Sequence, residues 1–195
     1  MLARPKIVSA SNARNYFEND TYFINSEFEQ GSFYGGLKND LGLGDFNLKD
    51  FDALLNGRHP STGEQLIKLS KKDLEENGDR KRSACDLTFA ADKAVSILYE
   101  VSDEKTKADI RLAFSESISD ALDFAEANYA KSKSRDNIQG ADAESKMIFT
   151  RFDHSESRNN DMHLHLLISL YLPLVCLDGL CFYLSISPSV FERYE

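Results

Sequence analysis

The sequence predicts an α+β fold in which a central antiparallel β-sheet carries helices packed mainly on one face. Three observations lead there. Residues 85–89 and 163–172 alternate side chains with a period of two, as half-buried strands do. The runs Lys146 to His154 and His163 to Leu172, joined by a polar connection, have the form of a β-hairpin, which makes the sheet antiparallel. Between these strand regions, Asp103 to Lys131 repeats apolar residues at helical spacing. A chain of 195 residues with no internal repeat suits one domain, 1–195, with a core of its own.

Taken in order, Lys6 to Ala10 reads as a short strand, and Ser11 or Asn12 offers an N-cap for a helix carrying Tyr16 and Phe17. Glu27 to Gly44 is loop-rich, broken by five glycines. Leu48 to Leu55 reads as a helix ended by Asn56-Gly57, and the polar run Lys71 to Arg82 as a solvated connection. In the strand from Cys85 to Phe89, Cys85, Leu87 and Phe89 share one face while Asp86 and Thr88 share the other. Asp92 can cap a helix beginning near Lys93. In the long helix, Ile110, Phe114, Ile118, Ala121, Leu122, Ala125 and Tyr129 form one stripe, with acidic residues at its start and lysines at its end. On the returning hairpin strand, Leu164, Leu166, Ile168, Leu170 and Leu172 face the core, and His163, His165, Leu167 and Ser169 face the other way.

Composition narrows the function classes. The chain is 42% hydrophobic and 28% charged, with a formal net charge of −9, so it carries no strongly basic coat for nucleic acid. A local basic groove remains compatible with that balance, because phosphate binding depends on where the cations sit. Cys85, Cys176 and Cys181 are an odd number without Cys-x-x-Cys spacing, which points to a reducing compartment and against a disulfide framework. Met1 to Tyr16 lacks the apolar core of a secretion signal. The apolar stretch Leu164 to Leu177 is too short for a membrane span and is interrupted by Ser169 and Pro173. The expected location is the cytoplasm.

Chemistry concentrates in the hairpin. Three of the four histidines, His154, His163 and His165, fall within twelve positions, and the hairpin brings them to one strand face. That suits a three-histidine metal site, with a hydrogen-bonded polar strand face as the plainer alternative. Asp153, Glu156 and Asp161 are either partners that orient the imidazoles or turn residues. Asp86, a carboxylate on an otherwise apolar strand, needs a partner or a task.

The order of these motifs resembles the conjugative relaxases of the F-plasmid-like class, members of the HUH (His-hydrophobic-His) endonucleases. The residues that carry the resemblance run through most of the chain. They are Asn15-Tyr16-Phe17 with Thr21-Tyr22-Phe23, Gly35-Gly36-Leu37 with Leu41-Gly42-Leu43, and Leu54 to Pro60. Asp86-Leu87-Thr88-Phe89-Ala90-Ala91-Asp92-Lys93-Ala94-Val95-Ser96 and Phe152-x-His154-x-x-Ser157-Arg158-x-x-Asp161 complete the set. The resemblance implies single-stranded DNA at a transfer origin as substrate, other conjugation proteins as partners, and a divalent metal (Mg²⁺ or Mn²⁺, with Zn²⁺ as an alternative) held by His154, His163 and His165. It implies Tyr16 as the nucleophile that forms a 5′-phosphotyrosine bond, Tyr22 as the tyrosine of a later strand transfer, and Asp86 as general base or as the group that orients a histidine. Lys93 and Arg158 are implied phosphate contacts, with surface or structural ion pairs as the alternative.

The family motif reads Asp-Pro-x-Leu-His-x-His. Aligned without a gap from His154, His165 takes its second ligand position and Leu167 the third; a two-residue gap brings in His163 and His165 instead. The chain is expected to lack the C-terminal part of the family domain. Three functions stay open: an active relaxase, an incomplete relaxase that at most binds single-stranded DNA, and a small metal-binding or interaction protein that keeps the fold alone.

Overall fold

The computed structural model describes residues 6–19, 31–66, 83–133, 142–144, 146–156, 162–171, 176–177 and 180–181. Its centre is a five-stranded antiparallel sheet of β1 (Lys6–Val8), β3 (Ala84–Ala90), β7 (Met162–Tyr171), β6 (Phe149–Glu156) and β2 (Ser32–Tyr34), in that spatial order. Two small hairpins, β4 (Lys131–Lys133) with β5 (Asp142–Glu144) and β8 (Cys176–Leu177) with β9 (Leu180–Cys181), lie outside it. The helices are α1 (Ala10–Asn19), α2 (Leu37–Asp40), α3 (Leu48–Leu55), α4 (Lys93–Val101) and α5 (Glu104–Tyr129). The α+β class and the antiparallel sheet are those the sequence predicts.

The covering of the sheet differs from the expectation in one respect, because both faces carry helices. Long helix α5 buries Ile118 and Leu122 against Leu87, Phe149, Leu166, Ile168 and Leu170. On the opposite face, Ala10 and Ala13 of α1 and Phe51, Leu54 and Leu55 of α3 pack with Phe33, Ala84, Phe152 and Tyr171. The strands allow this because their second face is not polar throughout: Ala84, Phe152 and Tyr171 interrupt the alternation there. Phe51, Phe152 and Phe46 meet edge to face, with ring centroids 5.2–5.9 Å apart.

Local signals fix most boundaries. Asn47 caps α3 by accepting from Asp50 N at 2.8 Å. Gly57, at φ 66°, ends it with a Schellman arrangement in which Arg58 N donates to Ala53 O and Gly57 N to Leu54 O. Asp92 and Asp103 cap α4 and α5, accepting from Ala94 N and Thr106 N. The start of α1 departs from the expected cap. Pairing of β1 with β3 stops at Val8 opposite Ala84, so the chain turns early and Ser9 Oγ, not Ser11 or Asn12, accepts from Asn12 N at 3.2 Å. The loop-rich reading of 27–44 missed β2 and α2, whose short lengths leave no periodicity to detect.

Sheet and long helix are tied by a buried cation. The Arg151 guanidinium, on β6, donates to Ser119 Oγ at 2.8 Å and Ser115 Oγ at 2.7 Å, and lies 5.2 Å from the Tyr34 ring centre. Among the described residues, no helix is long and apolar enough to cross a membrane.

Candidate metal and nucleic-acid site

The β6–β7 register decides where the histidines meet. His154 pairs directly with His165, Phe152 with Leu167 and Thr150 with Ser169, with a bulge between His154 and Glu156. Across β3, Ala90 faces His165, Thr88 faces Leu167 and Asp86 faces Ser169. Side chains directly opposite share a face, so His154, His165 and His163 gather at one end of the face that also carries Leu167, Ser169 and Asp86. From His163 to Leu170 the strand alternation read from the sequence is the one observed, and Leu172 lies outside the described residues.

The three rings form a row. The centroids of His154 and His165 are 5.1 Å apart, and those of His163 and His165 are 4.9 Å apart. His165 Nδ1 is 2.7 Å from the His163 carbonyl oxygen. A carbonyl can only accept, so Nδ1 carries the proton and Nε2 keeps its lone pair, the tautomer a metal ligand requires. His154 is 1% exposed, and burial, with a smaller contribution from His165, lowers its pKa to about 4. Burial also lowers that of His165. Both are therefore neutral at neutral pH, as ligation demands.

The three imidazoles are suitable donors for a divalent ion, and His154 and His165 are also in the required neutral form. Two imidazoles that share an ion at about 2 Å from each nitrogen place their centroids about 5 Å apart, as each neighbouring pair does here. The rings lie 30° and 33° from parallel. Among the described residues, no group of three or more His, Cys, Asp or Glu side chains is already arranged around a common point. Ligation would require the imidazoles to turn about their side-chain bonds.

Asp86 sits on the same face but not beside the histidines. It lies four positions along β3 from Ala90, the neighbour of His165, a distance of about 13 Å along the strand. Its carboxylate accepts from Ser169 Oγ at 2.9 Å. Burial raises its pKa, opposed by the Ser169 hydrogen bond and the Lys6 ammonium. The described carboxylate contact is thus with a serine, one cross-strand pair beyond Leu167. Leu167 is half-buried and packs against the core beneath α1 and α3.

Tyr16 lies in α1, whose Ala10 and Ala13 rest on this same sheet face. Tyr22, Arg158 and Asp161 fall outside the described residues. Lys93, expected at a phosphate, donates from Nζ to the Met162 carbonyl at 2.7 Å. Sequence reasoning gave no task to Ser169 or Ser96. The only signal for Ser169 was its place in the alternation, on the face that carries Asp86.

An antiparallel sheet that gathers three histidines at one end of a face, with an aspartate farther along that face and a tyrosine-bearing helix packed on it, is the arrangement of a relaxase-type domain. The model of the TrwC relaxase family matches residues 10–169, and the chain belongs to that family. The multifunctional conjugation protein TraI of Escherichia coli is 27% identical over 167 residues, and its counterpart in strain K12 is 26% identical. The alignment takes in 85% of this chain and 9% of each relative, so the chain spans under a tenth of their length. Among solved structures, the conjugative relaxase TrwC in complex with oriT DNA shares the fold. The metal-bound form has a TM-score of 0.72 at 23% identity, over 95% of this chain and 61% of that one. The metal-free form has a TM-score of 0.71 at 23% identity, over 95% and 60%.

Proposed function

We propose that this chain nicks single-stranded DNA at a plasmid transfer origin and transfers the strand through tyrosine, in a metal-dependent reaction in the cytoplasm. The observation that carries the reading is the row of His154, His165 and His163 on the sheet face that α1 covers, in a chain of the relaxase family. The relative solved with oriT DNA supports the choice of substrate.

In this reading, the Tyr16 phenol oxygen attacks the scissile phosphorus. The bond to the 3′ oxygen breaks, leaving a 5′-phosphotyrosine and a free 3′-hydroxyl. A phenol of pKa about 10 needs a proton acceptor. Asp86 is suited to that role, because burial makes its carboxylate a stronger base than an exposed one. Tyr22 serves the later strand transfer, and Arg158 contacts phosphate. A divalent ion, Mg²⁺ or Mn²⁺, held by His154, His163 and His165 would neutralise charge on the scissile phosphate.

A second reading, a relaxase that binds DNA without turnover, is favoured by one observation. The aspartate is engaged by Ser169, and Leu167 stands between it and the histidines. A labelled single-stranded origin oligonucleotide with Mg²⁺ or Mn²⁺ separates the two. The active enzyme yields a denaturation-resistant adduct that Tyr16→Phe abolishes. Binding without an adduct establishes the second reading, and absence of both overturns each.

A further inference from the structure

Strand β7 outruns its neighbour. β3 ends at Ala90 opposite His165, so Met162, His163 and Leu164 have no β3 residue alongside. The first turn of α4 and the residue before its cap take that place. Ala91 N donates to Leu164 O at 2.9 Å, extending the ladder by one bond. Leu164 N then donates to Ser96 Oγ at 3.1 Å, and Lys93 Nζ donates to Met162 O at 2.7 Å. Ser96 is 1% exposed, and its hydroxyl donates onward to Asp92 O at 3.2 Å. One hydroxyl thus accepts from the strand and donates to the helix start, satisfying both groups in a buried place.

We propose that Ser96, assisted by Lys93, is a positioning residue for the histidine site. The two side chains replace the missing strand and hold residues 162–164 in register, so that His163 stays beside His165 and on the same face as His154. Register matters here more than elsewhere in the sheet, because a slip of one residue sends both histidines to the opposite face. Leu164 is 4% exposed, so losing the Ser96 oxygen leaves its N–H buried without an acceptor. Lys93 thereby has a structural task in place of a phosphate contact. The inference rests on the proposed reading only in taking the histidines as the ligand set.

The test uses the full chain and the variants Ser96→Ala, Ser96→Thr and Lys93→Met. Three readouts are followed: amide exchange residue by residue, the ring-nitrogen chemical shifts of His165, and Mn²⁺ binding by calorimetry. Ser96→Ala is expected to accelerate exchange at Leu164 about ten-fold relative to Leu166 and Ile168. It should also mix the His165 tautomers and weaken Mn²⁺ binding about ten-fold. Ser96→Thr, which keeps the hydroxyl, is expected to restore all three, and Lys93→Met to loosen residues 162–164 alone. Exchange at Leu164 and a His165 ring signature unchanged in Ser96→Ala, or a loss spread evenly over the sheet, overturns the proposal. Should Ser96→Ala fail to fold, Lys93→Met decides on amide exchange at residues 162–164, where no acceleration overturns the proposal. A wild-type chain that binds no Mn²⁺ overturns the metal reading, while exchange and ring shifts still judge the clamp.

Discussion

His154 lies directly across from His165 in the β6–β7 register, with ring centroids 5.1 Å apart, yet His154 is 1% exposed while His165 is only half-buried. This pairing ties stability to pH. Folding lowers the pKa of His154 from its ordinary value to about 4, so between about pH 4 and 6.5 the unfolded chain holds more protons than the folded one. Stability therefore rises with pH across that window and is lost as pH falls through it. Asp86 acts in the opposite sense: its pKa is raised, so its contribution is present at low pH and lost as pH rises through the folded value. The histidine shift is the larger, and roughly 2 kcal/mol should be lost on acidification from pH 7 to pH 4.5. Urea midpoints measured over that range should fall steeply for the wild type and less steeply for His154→Gln, in which the lowered pKa of His165 still acts in the same sense.

The hydrogen bond from Ser169 to Asp86 predicts a different pH response. Ser169→Ala removes the donor described for the buried carboxylate, at a cost of about 1–3 kcal/mol when Asp86 is ionised. Protonation of Asp86 relieves that cost, so the deficit should be large at pH 7.5 and shrink toward pH 4.5. Denaturation of both proteins at the two pH values gives the comparison; an equal deficit at both would place the effect in packing alone.

The hairpin that carries the histidines was legible because β7 alternates cleanly: Leu164, Leu166, Ile168 and Leu170 are buried on one face, and His163, His165, Leu167 and Ser169 lie on the other. The cap Asp92 was legible for a similar reason, since it stands just before an apolar helical repeat, whereas Asp103, read as the first acidic residue of the long helix, is its cap. The contact between Ser169 and Asp86 was not, because it depends on the β3–β7 register, which a pattern within either strand leaves free. Nor was the link from Ser96 to Leu164, which joins residues 68 positions apart. Covering of both sheet faces was hidden by Phe152 and Tyr171, whose burial arises from the packing of α1 and α3.

A carboxylate on α5 holds the edge of the sheet. Glu126 accepts from Gly36 N through both oxygens at 3.1 Å and from Met147 N at 2.9 Å. Gly35 beside it has φ 106°, and a Cβ there would stand 2.5 Å from the Met147 carbonyl oxygen. Glu126→Ala should cost about 2 kcal/mol and speed amide exchange at Gly36 and Met147. Gly35→Ala combines left-handed strain with a backbone clash and should cost at least about 2 kcal/mol. Thermal unfolding of the two variants should show losses that fall short of additive in the double variant, since both act on one junction.

Leu167 allows the two histidine registers to be separated. In the gap-free register, position 167 is the third ligand, one pair from His165 along β7 and diagonal to Asp86; in the gapped register the set is complete at His154, His163 and His165. Leu167 packs against the core formed with α1 and α3, and the three rings already lie 4.9 and 5.1 Å apart at the strand end. The gapped set is therefore the expected one. Leu167→His should place a polar ring against Phe152 and Thr88, destabilise the fold by about 1–3 kcal/mol and leave Mn²⁺ affinity no tighter. His163→Ala should weaken that affinity about a hundred-fold. Calorimetric titration of the two variants checks both, and a Leu167→His chain that binds Mn²⁺ more tightly while tolerating His163→Ala would assign the site to the gap-free register.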